Sequence, residues 1–174
     1  MITPGVVPEL TARLAWFPDP TWTWRGGPED RPLVGYRLKE GEGNPVHVLM
    51  IEDDPAIADM YRLQLEHDGY RVTVATSAEV GFKTLTGDAP DLVLLDLLLP
   101  DQSGFDVLAT VNERYPNPPP VVILSNYGEP SMIDKGLSLG AIEYLVKSRV
   151  TPADVSGHIP GWVERGRRGG KAES

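Results

Sequence analysis

The 174-residue chain contains no cysteine, which excludes disulfide frameworks, thiolate zinc sites and cysteine nucleophiles. Its three histidines, His47, His67 and His158, are too few and too scattered for an imidazole metal site. No apolar run approaches the ~20 residues that a membrane-spanning helix needs, and the N-terminus lacks a basic stretch followed by an apolar one. These absences predict a soluble, cytoplasmic protein that does not engage membranes. Positive charge is scarce too: 16 Lys and Arg stand against 25 Asp and Glu, a net charge of −9. Residues 46–150, with 7 basic and 16 acidic side chains, carry the whole of that excess. Such a surface repels a phosphate backbone, so the main domain is not expected to bind nucleic acid.

Residues 1–45 differ from everything after them. They hold seven prolines, six glycines and three of the four tryptophans. That composition predicts a flexible arm, with Trp16, Trp22 and Trp24 as anchors if it binds a partner. From Val46 the pattern becomes regular. VHVLMI (46–51), YRVTVA (70–75), DLVLLD (91–96), VVILS (121–125) and IEYLV (142–146) read as strands. Between them lie helical repeats over 55–68, 77–85, 104–115 and 129–139. Thr151, Pro152 and Asp154 open a fifth helix in the manner of a capping box. Gly157, Pro160 and Gly161 are expected to interrupt it.

This is (βα)5, a doubly wound α/β fold with a parallel sheet covered on both faces. The first, third and fourth strands are almost continuously apolar, as strands buried on both faces should be, whereas the second and fifth alternate as edge strands do. The order 2-1-3-4-5 of flavodoxin-like doubly wound sheets fits these edges, with the switch point between the first and third strands, where such sheets bind ligands beyond their carboxyl ends. The domain is expected over residues 46–162, with a frayed basic tail over 163–174 that carries Arg165, Arg167, Arg168 and Lys171.

The residues at that rim suggest chemistry. Glu52, Asp53 and Asp54 end the first strand and Asp96 ends the third. Neighbouring strands lie about 4.8 Å apart, so these carboxylates must converge. An acidic helix N-terminus would explain the triplet alone but not Asp96. A hard divalent cation, Mg²⁺, would relieve the repulsion. Ser125 and Lys147 end the fourth and fifth strands, adding a hydroxyl and an ammonium beside the carboxylates. Together they make a place for a transferred phosphoryl group, with Asp96 as nucleophile and Lys147 neutralising charge.

At these motifs the chain resembles the response-regulator receiver family of two-component signalling, over roughly residues 46–161. The similarity rests on MIEDDP, LVLLDLLLPDQSG, VVILSN and GAIEYLVKS. It implies a flavodoxin-like receiver in which Asp96 is the phosphoacceptor, Asp53 a direct Mg²⁺ ligand and Glu52 a second acid. It also implies that the backbone carbonyl of Leu98 completes the metal ligands, that Ser125 and Lys147 hold the phosphoryl group, and that Tyr144 swings inward as an aromatic switch. The implied donor is a sensor histidine kinase or phosphotransfer protein, and the implied output is binding to a downstream protein. The domain itself is then not an enzyme beyond its own phosphotransfer and dephosphorylation. Asp54 is left as a helix cap.

The chain departs from the family pattern at two places in the rim. Asn126 stands where a very small residue is usual, and Ser148 stands where a cis proline is common. A cis bond before a non-proline residue costs ~3 kcal/mol, so a trans bond is expected. Only 27 residues follow Lys147, so a stand-alone receiver, monomeric or weakly dimeric, is expected. The alternative is a receiver-like interaction module that works without phosphorylation. A flavodoxin-like cofactor binder would need a phosphate-cradling loop where this chain has EDDP. An aspartyl-nucleophile phosphatase would carry its nucleophile on the first strand.

Overall fold

The computed structural model describes residues 44–169; residues 1–43 of the arm, with its three tryptophans, and Lys171 lie outside the described residues. Five strands, β1 (His47–Ile51), β2 (Arg71–Ala75), β3 (Leu92–Leu95), β4 (Val121–Ser125) and β5 (Glu143–Val146), alternate with five helices. The helices are α1 (Pro55–His67), α2 (Ala78–Gly87), α3 (Gly104–Arg114), α4 (Pro130–Ser138) and α5 (Pro152–Gly169). All strand pairs are parallel, in the order β2-β1-β3-β4-β5. The expected order and edges are therefore those observed. Every residue of β1, β3 and β4 is buried, while β2 and β5 are only partly so.

Alternation along the inner strands divides the core in two. Leu49, Ile51, Val93, Leu95 and Ile123 face α2, α3 and α4 with Phe105, Leu108 and Val111. Val48, Met50, Leu94 and Leu124 face α1 and α5 with Tyr61, Leu65, Ile159 and Trp162. Each face buries an apolar layer, and burial of a Leu or Ile side chain contributes roughly 1.5–3 kcal/mol. Helix starts are set by side chains that accept otherwise unpaired N–H groups. Asp54 accepts from Ala56 and Ile57, Ser77 from Val80, and Ser103 from Phe105. Thr151 and Asp154 cap α5 reciprocally.

The last helix corrects the expectation of a break. It runs unbroken from Pro152 to Gly169 through Gly157, Pro160 and Gly161. A proline at position 160 frees the carbonyl of Ser156 from its usual helical partner. The Tyr70 hydroxyl donates to that carbonyl at 3.1 Å, so the loss is made good from outside the helix. Trp162 and Val163 are buried, so the helix packs past the point where a frayed tail was expected.

Candidate functional site

Register places the rim residues. Ile51 lies opposite Leu95, so the next residues, Glu52 and Asp96, emerge side by side from β1 and β3. Ser125 pairs with Val146, so Lys147 emerges one step beyond the hydroxyl. Oxygens of Glu52, Asp53 and Asp96 all lie within 4.8 Å of one another. Glu52 and Asp96 are buried and Asp53 is exposed. Lys147 Nζ stands 2.6 Å from Glu52 Oε2 and 3.4 Å from Asp96 Oδ2.

Burial pushes the Glu52 and Asp96 carboxyls above the usual carboxylate range, and Lys147 pulls both back. Asp96 Oδ1 also accepts the Leu97 N–H at 2.8 Å. Two buried carboxylates therefore share one ammonium beside a third, exposed one, which leaves negative charge that burial makes costly. An all-oxygen donor set with that excess fits Mg²⁺, not a soft metal. The donor set and the cation implied by the family agree.

The remaining expected residues arrive at the same rim. Ser125 is almost fully buried and its Oγ accepts the Tyr127 N–H at 3.2 Å. Asn126 is exposed. Ser148 sits in a short 3-10 turn, Lys147–Arg149, and no cis peptide bond occurs among the described residues. Tyr144 already lies inside, 8% exposed, with its hydroxyl donating to the Tyr127 carbonyl at 2.8 Å. Its ring packs where Gly136 leaves room: a Cβ there would stand 3.0 Å from Tyr144 Cδ2.

Two residues of the β3–α3 loop were not singled out from sequence. Gly104 donates its N–H to the Leu97 carbonyl at 2.9 Å, and a Cβ at 104 would meet the Asp96 carbonyl oxygen at 2.3 Å. Only glycine permits that approach, which folds the loop against the strand end. Leu98 pairs with Ser103 across the loop, and its side chain is exposed. Asp101 is the second. Its Oδ1 and Oδ2 accept the N–H groups of Ala78 and Glu79, each at 3.0 Å. A glycine directly after a capping serine was a readable signal for the first; nothing local marked the second.

A doubly wound sheet thus carries a buried carboxylate, an acid pair, a hydroxyl and a lysine at its switch point. Residues 48–155, more than half of the chain, match the response regulator receiver domain family. The chain belongs to that family and is the receiver domain of a two-component response regulator.

Among its relatives is the probable transcriptional regulatory protein TcrX of Mycobacterium tuberculosis, 31% identical over 110 residues, or 63% of this chain and 47% of TcrX. AfsQ1 of Streptomyces coelicolor is 38% identical over 100 residues, 58% of this chain and 44% of AfsQ1. The chain thus spans less than half the length of these regulators. Among solved structures, a CheY-like receiver domain protein from Methanospirillum hungatei JF-1 aligns with a TM-score of 0.66 at 26% identity. That alignment covers 72% of this chain and 99% of the other. The Mn²⁺-bound form of the response regulator Rcp1 aligns at 0.61 and 25% identity, covering 69% of this chain and 96% of Rcp1. Among the described residues, no helix is long and apolar enough to cross a membrane.

Proposed function

We propose that this receiver takes a phosphoryl group onto Asp96 from the phosphohistidine of a sensor kinase or phosphotransfer protein, with Mg²⁺ held by Glu52, Asp53, Asp96 and the Leu98 carbonyl. The observation that carries the reading is the Lys147 ammonium, set between Glu52 and Asp96 where three carboxylates converge. When bound, Mg²⁺ supplies the positive charge that lets an anionic donor approach an anionic acceptor.

The chain's own residues do the rest. Lys147 and the Leu97 N–H oppose the effect of burial on the Asp96 carboxyl, and the free oxygen of its ionised form attacks phosphorus. One oxygen–phosphorus bond forms as the donor's nitrogen–phosphorus bond breaks, and the leaving imidazole keeps the electron pair. Lys147 neutralises charge on the transferred group, and the Ser125 hydroxyl donates to one of its oxygens. The Ser125 hydroxyl can donate this bond while its Oγ still accepts the Tyr127 N–H, which couples the phosphoryl group to the β4–α4 loop and through the Tyr127 carbonyl to Tyr144. A receiver read in this way changes which protein it binds; the second protein's identity lies in surface contacts beyond this site.

The test uses acetyl phosphate as donor. Wild type should acquire a hydroxylamine-labile phosphoryl group only with Mg²⁺, and Lys147→Met should acquire it roughly 100-fold more slowly. Equal labelling without Mg²⁺, or at an unchanged rate in Lys147→Met, contradicts the reading.

A further inference from the structure

The loop that follows Asp96 is closed at its base and held at its tip by different parts of the chain. At the base, Gly104 N–H bonds to Leu97 and Leu98 pairs with Ser103. At the tip, Asp101 reaches out of the loop and takes two N–H groups at the start of α2, from Ala78 and Glu79. Ser77 accepts the Val80 N–H, and Asp101 takes the two preceding N–H groups of α2 from a distant loop. The N–H groups of Glu79 and Ala78 hold the Asp101 carboxyl below the usual carboxylate range.

The other end of the same short segment touches the acid pair. The Glu52 N–H donates to the Ala75 carbonyl at 2.9 Å, and Ala75 precedes α2 by three residues. Residues 75–79 therefore join the two halves of the site. Ala75 fixes the strand end that carries Glu52 and Asp53, and Ala78 with Glu79 fixes the loop that carries Asp96 and Leu98.

We infer that Asp101 is a positioning residue of the metal and phosphoryl site, which clamps the Asp96 loop to the start of α2 and so sets the distance between Asp96 and the acid pair. It touches neither the cation nor the reacting atoms. The inference rests on the reading of the site given above. Groups that orient metal ligands from outside the coordination shell commonly alter affinity by 10–100-fold when removed.

The test compares Asp101→Ala with Ser77→Ala in the full chain. Both remove bonds to the first turn of α2, but only the first frees the loop. Mn²⁺ binding, followed by the electron paramagnetic resonance of the free ion, should weaken about 10-fold in Asp101→Ala. It should weaken less in Asp101→Asn, which keeps one acceptor oxygen, and stay at the wild-type value in Ser77→Ala. Amide hydrogen exchange in metal-free protein should accelerate at Leu98 and Gly104 in the Asp101 variants alone. Wild-type Mn²⁺ affinity in both Asp101 variants, or an equal loss in Ser77→Ala, overturns the clamp. Wild type that binds no Mn²⁺ overturns the proposed site and the clamp with it, so the two failures are told apart.

Discussion

Lys147 is the one cation within ion-pair distance of the acid cluster among the described residues, and its reach to both Glu52 and Asp96 sets the electrostatics of the rim. At the opposite end of β1 a second buried polar residue behaves differently. His47 is 2% exposed, with Nε2 2.8 Å from Thr73 Oγ1 and Nδ1 lacking a hydrogen-bond partner. Asp88 stands 3.9 Å from that nitrogen and is already bound by Arg71. Asp91 accepts the His47 backbone N–H. Burial first, then Arg71, holds the imidazole below its ordinary pKa, against the pull of Asp88 and Asp91.

The folded protein therefore binds this proton less readily than the unfolded chain. Stability from a depressed histidine is complete above the unfolded value and is lost as pH falls toward the folded one. The urea midpoint should decline between about pH 8 and about pH 5, and His47→Gln should flatten that decline. An identical slope in His47→Gln would show that other groups cause it.

At the scale of elements, α5 shows how a helix tolerates an interior proline. Pro160 cannot donate to the Ser156 carbonyl, and Tyr70 does so instead. Tyr70→Phe should cost about 1 kcal/mol in denaturant titrations, the net worth of such a bond. In a Pro160→Ala background the new backbone N–H takes the same carbonyl, and the cost of Tyr70→Phe should shrink toward zero. Equal costs in the two backgrounds would mean that Tyr70 acts by packing alone.

The same helix marks what was legible in the sequence. The strands and the edge positions of β2 and β5 followed from apolar runs and alternation, because period and burial are local to a segment; the order of the inner strands came from the resemblance to flavodoxin-like sheets. The caps at Asp54, Ser77 and Thr151 were legible for the same reason. The continuity of α5 was not, because the group that rescues Pro160 lies 86 residues before Ser156 in the chain. The rim residues of the site could be read because each ends a strand. Asp101 could not, because its partners sit more than twenty residues away. The inward position of Tyr144 depended on room left by Gly136, a packing fact with no local pattern.

For the molecule as a whole, the balance of charge governs the proposed reaction. On the proposed reading, a chain of net charge −9 would accept an anion onto an anion, with one ammonium at the point of transfer. The proposed reaction, with Asp96 as acceptor and Mg²⁺ beside it, therefore predicts dependence on a divalent cation and on a single carboxylate. The intact mass of the full chain after incubation with acetyl phosphate tests both at once. With Mg²⁺ present, wild type should gain one phosphoryl group and Asp96→Asn none; without Mg²⁺, neither should. A gain retained in Asp96→Asn, or no gain in wild type under any condition, would contradict the assignment of Asp96 as the phosphoacceptor.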